Sequence, residues 1–501
     1  MNSASPRPKN LLFLWTDEHR AQAMGAYGNR KIRTPNLDRL AETGTLFEQA
    51  YCAQPVCTPS RGTVLTGLYP HTHGATHNNI PLPEAVPTIA ELLRPHGYFC
   101  GYAGKWHLGN EYRPQHGFEW WASMEDGYVK DHKKEGFSTY HEWLVAKGYQ
   151  PKDKASDGSL TFSRGSAARL PEEAGKPAFL AEQAARFLDE RQSAHKDQPF
   201  ALYVNFLEPH MPFFGPWDSM YPAEEMELPK TWYGEPDEGM PLRHRVRRDE
   251  YASDHNRHVD ANDEAGWKRL IARYWGLTSL VDKYVGHILA HLDRSGLAED
   301  TIVVYSTDHG DMMGDHRLIA KGVPYEGSSR VPLLVRVPGL APKRIQTPVC
   351  QVDLLPTLME ALGYEAPANV QGTSLLPLMR DGDGARGNPD EAEVVFEWSG
   401  ARDGLGADGH RYDAAVADRA GAPQRTIRRG PWKLTVDAAG EHELYDLSTD
   451  PHESHNLLYA DRLTHHPTAP SIVPVLWQHL QSWQSRTADP LTLPNPIPWG
   501  G

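Results

Sequence analysis

Only four cysteines, Cys52, Cys57, Cys100 and Cys350, occur in 501 residues. That scarcity excludes a scaffold built on disulfides. Long apolar runs are missing too. The LLFLW piece at 11–15 is strand-sized, far short of the roughly 20 residues a membrane helix needs, so no membrane partner is expected. The N-terminal MNSASPRPKN lacks the apolar stretch of a signal peptide, and a cytoplasmic protein is expected. A leader lost ahead of this sequence is the alternative. Positive charge is in deficit: 51 Lys and Arg stand against 65 Asp and Glu, a net charge of −14. Such a chain suits a polyanion poorly, so no nucleic-acid partner is expected. A locally positive pocket can still take a small anion. Internal repeats and low-complexity tracts are also missing.

What is present reads as globular, with 39% hydrophobic and 23% charged residues. The length exceeds one ordinary core, so a large domain with a smaller one is expected. Short apolar runs alternate with helical patterns. Residues 10–16 read as a buried strand ending in polar DEHR, and residues 35–43 as a helix stopped by Gly44. Thr88 precedes a helical pattern from Ile89, and 98–103 is the next strand. A helix over 179–190 leads to a strand over 200–207. Leu270, Tyr274, Leu277, Val281, Val285, Ile288 and Leu292 make one stripe of a long helix over 265–293, and 301–306 is another strand. This alternation predicts an α/β fold with a mainly parallel sheet. Residues 211–262 break the pattern and read as an inserted loop region near the pocket. After Gly382 the chain turns polar. Strands at 394–398 and 426–436, then ELYDL and a helix near 472–485, read as a smaller α+β domain over 383–501, closing on a catalytic domain over 1–382. The tail LTLPNPIPWGG is Pro-rich and reads as extended.

Active sites in open α/β sheets gather at the carboxyl ends of strands. Asp17-Glu18, Glu208-Pro209-His210 and Asp308-His309 all sit at predicted strand ends. The sharpest signal is Cys57-Thr58-Pro59-Ser60-Arg61, which resembles the C-x-P-S-R signature of type I sulfatases in the alkaline phosphatase superfamily. In that family the Cys is oxidised to formylglycine. GYAGKWHLG at 101–109 is similar to the family's second signature, TDHGDMMGDH at 307–316 to its late metal motif, and EPHMPF at 208–213 to the region supplying another active-site His. RTIRRGPWKL and ELYDLSTDPHESHNL resemble its C-terminal domain. Residues 122–178 and 211–262 match least.

The resemblance implies an alkaline-phosphatase-like fold: a large, mainly parallel mixed sheet flanked by helices, with a smaller C-terminal α+β domain. It implies hydrolysis of a small-molecule or saccharide sulfate ester, with a formylglycine-generating enzyme as the maturation partner. An aldehyde hydrate offers two hydroxyls, one to attack sulfur and one to expel sulfate afterwards, a release route that a plain Ser or Cys lacks. The implied metal ligands are Asp17, Glu18, residue 57, Asp308 and His309. Oxygen-rich donors suit Ca²⁺ or Mg²⁺, with Ca²⁺ expected, and His309 keeps Mn²⁺ open. Asp308 is also the implied general base. Arg61, one turn after Cys57, is placed to orient it. Lys105, Lys321, His210 and Asn78 are expected to meet substrate, the lysines as point charges on sulfate oxygens. His107 and His210 are expected to move protons, for the hydrate and the leaving group respectively.

Some positions stay open. Many family members carry Asp-Asp where this chain has Asp17-Glu18, so Glu18 either ligates the metal, which is expected, or faces substrate. His73, His77 and Asn78 line the pocket or form a polar loop. Arg243, His244, Arg245, Arg247 and Arg248 make a solvated basic face or a patch for an anionic substrate. The nearest rival is a phosphonate monoester hydrolase or phosphodiesterase of the same superfamily. Those enzymes share C-T-P-S-R but tend to carry Tyr and Thr where this chain has Lys105 and His107, which favours sulfate. A catalytically dead binding protein would have lost Cys57, Lys105 or Asp308, and none is lost. A phosphotransferase would need Thr58 as nucleophile, and the following Pro-Ser-Arg fits a sulfatase better.

Overall fold

Strand Asn10–Asp17 is buried along its whole length, as its unbroken apolar run requires of a strand covered on both faces. Each fully buried Leu or Phe there stabilises the fold by about 1.5–3 kcal/mol. It lies at the centre of an eight-stranded sheet in the computed structural model, which describes residues 9–124, 137–150, 168–234, 238–252, 263–400 and 412–496. The order across the sheet is Lys343–Ile345, Thr45–Phe47, Leu333–Arg336, Thr301–Thr307, Asn10–Asp17, Phe200–Pro209, Phe99–Gly104 and Trp120–Ser123. Leu333–Arg336 runs antiparallel to both neighbours, and the remaining pairs are parallel.

Helices cover both faces. The long helix Glu264–Arg294 buries all seven residues of the predicted stripe. Asp263 caps it, accepting from the Gly266 amide. On the same face, Lys176–Ala194 runs longer at both ends than the predicted helix, because Pro177 starts it one turn earlier. The opposite face carries the helices Cys57–Thr66 and Leu354–Leu362.

Two expectations change. Residues 211–262 are not simply a loop. Phe213, Tyr221, Met226 and Leu228 pack on Trp267, Leu270 and Tyr274 of the long helix, and Leu242–Ala252 is itself helical. Residues 235–237 and 253–262 of this stretch lie outside the described residues. The stretch 426–436 is not one strand but a hairpin, Gln424–Arg429 and Trp432–Asp437. Gly430 turns it at φ 53°, a region L-residues disfavour. The hairpin belongs to an antiparallel four-stranded sheet, Glu393–Trp398, Gln424–Arg429, Trp432–Asp437 and Glu443–Asp446, backed by helix Ala469–Thr487. This sheet shares its core with Tyr51, Tyr69, Cys350 and Val352 of the larger part. Of the Pro-rich tail, 497–501 lie outside the described residues. No helix among the described residues is long and apolar enough to cross a membrane.

Candidate active site

Four neighbouring parallel strands, Thr301–Thr307, Asn10–Asp17, Phe200–Pro209 and Phe99–Gly104, end on one edge of the sheet. Their ends deliver Asp308 and His309, Asp17 and Glu18, His210, and Lys105 and His107. The edge is tightly built. Gly104 sits at φ 107°, and a Cβ there would lie 1.9 Å from the Asn205 carbonyl oxygen. Glu18 and His107 both take left-handed backbone, at φ 69° and 59°. Such conformations persist only where the surroundings over-determine them, and they cluster at functional sites. Glu18 is held by its N–H on Asp308 Oδ1 (3.1 Å) and by the Tyr274 hydroxyl on its carbonyl (2.6 Å).

Cys57 opens a helix in which all ten residues are buried. Its Sγ lies 3.2 Å from His309 Nε2 and 3.8 Å from Asp17 Oδ1. Asp17, Cys57, Asp308 and His309 thus place four ligand atoms within 4.8 Å of one another. His309 Nδ1 donates to the Gly310 carbonyl (2.9 Å), which leaves Nε2 with a lone pair facing the cluster. Asp17, Glu18 and His210 form a second such group. Both carboxylate oxygens of Glu18 are buried without a hydrogen bond. Lys321 Nζ at 3.2 Å and His210 Nε2 at 3.4 Å both approach Oε2. Buried carboxylate oxygens with no hydrogen bond, beside further oxygen and imidazole donors, fit a divalent cation, and nearly any other buried carboxylate would be hydrogen-bonded.

Arg61 does not turn back to Cys57 itself. Its guanidinium bridges Asp17 Oδ2 (3.0 Å) and Asp308 Oδ2 (2.9 Å) and reaches the Lys105 carbonyl (2.8 Å), with no part exposed. It therefore fixes two of the candidate ligands. Lys105 Nζ lies 2.5 Å from Asp17 Oδ2. Burial works against a charged Asp17, yet Lys105, His210, Arg61 and Lys321 hold its carboxyl well below the usual range. Glu18 is pushed up to about 7 by burial, with Lys321 pulling the other way. Burial and then Lys105 hold the His107 imidazole well below its ordinary value, so it is neutral. The Cys57 thiol is pushed up to about 11 by burial and Asp17, so it is no thiolate nucleophile.

Other expected residues take structural tasks. Asn78 Oδ1 accepts the Thr58 amide (3.1 Å) in the first turn of the Cys57 helix. His73 is buried, bonded to the Pro59 carbonyl (3.1 Å) and the Ala75 amide (3.1 Å), with its pKa lowered by burial to about 3. The basic cluster is not a solvated face at its first members. Arg243 is buried, donating to the Gly322 and Ala420 carbonyls and lying 3.6 Å over the Trp398 ring, and His244 is buried against the Tyr325 hydroxyl. Sequence reasoning missed Gln351, which bonds the Ser60 hydroxyl and the Thr307 carbonyl, and Asp311, whose Oδ1 accepts the Ala320 amide beside Lys321. Asp311 stood inside the late motif, two residues after His309. Nothing local marks Gln351.

Residues 9–364 match the Sulfatase family model. An arylsulfatase of Clostridium perfringens is 29% identical over 482 residues, covering 90% of each chain. An N-acetylglucosamine-6-O-sulfatase of Bacteroides thetaiotaomicron is 28% identical over 488 residues, covering 89% of this chain and 82% of that protein. Among solved structures, a phosphonate monoester hydrolase of Agrobacterium radiobacter superposes with a TM-score of 0.73 at 23% identity, covering 96% of both chains. At that identity the likeness speaks for the fold alone.

Proposed function

The chain belongs to the sulfatase family, and from that premise we propose that it hydrolyses the sulfate monoester of a saccharide or small molecule through a formylglycine hydrate made from Cys57. The observation that carries this is the position of Cys57 Sγ, within 4.8 Å of ligand atoms of Asp17, Asp308 and His309, with Lys105 Nζ 2.5 Å from Asp17. A family whose name is hydrolysis of sulfate esters, and relatives named for aryl and N-acetylglucosamine substrates, support it.

The hydrate would supply one hydroxyl to attack sulfur and a second whose deprotonation regenerates the aldehyde. A divalent ion, which we take to be Ca²⁺, would sit on Asp17, Asp308, His309 and residue 57 with Glu18 beside it, and would neutralise sulfate charge. The protein groups do the rest. Asp308 is placed to take the attacking hydroxyl's proton. Arg61 keeps Asp308 and Asp17 in register. Lys105 and Lys321, each already within 3.2 Å of a ligand carboxylate, are placed to shift onto sulfate oxygens. The neutral His107 accepts the hydrate proton, and His210 gives one to the leaving oxygen.

The test uses protein co-expressed with a formylglycine-generating enzyme. Mass spectrometry of the peptide containing residue 57 is expected to show the aldehyde. Metal analysis should return one Ca²⁺, or Mn²⁺ if the imidazole decides. Sulfate release is then measured over nitrophenyl, aminosugar and choline sulfates, with a phosphonate ester beside them. Cleavage of the phosphonate ester and of no sulfate ester by fully converted, metal-loaded protein would overturn the assignment.

A further inference from the structure

The turn from Lys105 to His107 is gripped by groups from four other places in the chain. The Lys105 amide donates to the Asn205 carbonyl (3.2 Å), and its own carbonyl accepts from Arg61 (2.8 Å) and the Tyr102 hydroxyl (2.6 Å). The His107 carbonyl accepts from the Thr58 hydroxyl (2.8 Å). The two remaining amides, those of Trp106 and His107, go to one side chain: Glu111 Oε2 takes the first at 3.0 Å and Oε1 the second at 2.7 Å. Glu111 is buried, and its own carbonyl is anchored by Trp121 Nε1 (2.8 Å). A carboxylate has two acceptor oxygens, so it can close both amides of a turn whose last residue lies in left-handed backbone. An amide side chain has only one.

We propose that Glu111 is a positioning residue for the release half of the reaction: its forked grip fixes the backbone of His107, and so the aim of the imidazole that takes the hydrate proton. The inference rests on the role given to His107 above. Glu111 is four residues from His107 and accepts its main-chain amide. Its proposed action runs through the turn.

Two readouts test it. The first needs no conversion of Cys57. Hydrogen exchange over residues 104–109 should quicken about 10-fold or more in Glu111→Gln, with exchange in the Cys57–Thr66 helix unchanged. The second uses converted enzyme and a nitrophenyl sulfate. Nitrophenol departs before sulfate does, so a defect confined to release spares kcat/KM while lowering kcat. Glu111→Gln should show a burst of about one nitrophenol per enzyme, then a kcat about 10- to 100-fold below wild type, with kcat/KM within a few-fold. His107→Gln should show the same burst with a deeper loss. Glu111→Asp, which keeps the charge but withdraws it by one methylene, should behave like Glu111→Gln and takes its place if that variant does not fold. Unchanged exchange at 104–109, or kcat and kcat/KM falling together without a burst in the Glu111 variants while His107→Gln bursts, overturns the role of Glu111. Absence of a burst in His107→Gln overturns the release role of His107 instead, and the proposal with it.

Discussion

Two regions of this molecule bury three carboxylates each, and they neutralise them differently. At the strand ends, Asp17, Glu18 and Asp308 meet Arg61, Lys105 and Lys321. At the seam between the large sheet and the C-terminal sheet, Glu326, Glu443 and Glu453 share one close ammonium, Lys433, which lies 3.1 Å from Glu326 and 2.6 Å from Glu453. Cations suffice for Glu326: although it is buried, Lys433 and Arg428 hold it down at about 2. They do not suffice for the others. Burial raises Glu453 to about 7 and Glu443 to about 8, so the seam keeps its surplus acids by protonating them. The active site instead sets three cations, Arg61, Lys105 and Lys321, close to its acids and holds Asp17 charged, although burial still raises Glu18 to about 7 and leaves both its oxygens without a hydrogen bond. One region holds two sheets together. The other is left open to an ion and a substrate.

If that contrast is right, deletions at the two places fail in different ways. Cys57→Ser, which cannot form the aldehyde hydrate, should lower kcat by on the order of 10³-fold or more. Its melting temperature should stay within a few degrees of wild type. A serine enzyme with near-normal steady-state turnover would break the contrast at its root. Lys433→Met should do the reverse. It strands Glu326 and Glu453 at a buried seam and should cost about 3–5 kcal/mol in urea unfolding, while the folded fraction keeps its kcat within a few-fold.

Glu18→Gln sharpens the comparison. Losing a carboxylate beside the ion should weaken metal affinity about 10-fold in a calorimetric titration, with the fold intact. An unchanged titration with altered KM would move Glu18 from the metal to the substrate. The smallest effect is a pH slope. Glu443 has a folded pKa of about 8 against an ordinary 4.5. The folded protein therefore holds a proton that the unfolded chain releases, and Glu443 subtracts stability progressively as pH rises from about 4.5 to 8. Glu443→Gln should remove that part of the slope. Urea midpoints of variant and wild type should diverge in the variant's favour between pH 5 and 8. His244, held neutral in the fold by burial but free to charge in the unfolded chain, adds a slope of opposite sign that is present in both proteins and cancels in the comparison.

Much of the site was readable in advance because its residues sit at predictable places. Asp17, His210 and Asp308 follow apolar runs, and a parallel sheet brings the ends of neighbouring runs to one edge. The insertion misread as loop was less legible. Its Pro and charged residues mask Phe213, Tyr221, Met226 and Leu228, whose apolar surface finds a partner only in the long helix. The 424–437 hairpin was hidden because one glycine between two β-rich runs is a weak mark until the backbone shows its positive φ.

By itself the sequence determined most element types of the large sheet and its helices, the strand-end residues and the Cys57 motif, since periodicity and local spacing are properties of neighbours in the chain. It could not determine who faces whom. That Arg61 spans Asp17 and Asp308 rather than touching Cys57, that Asn78 accepts the Thr58 amide, and that Arg243 is buried over Trp398 are each contacts between residues far apart in sequence. Only the tertiary structure decided them. A side chain's partner depends on the distance and burial that packing imposes, and no local pattern encodes either.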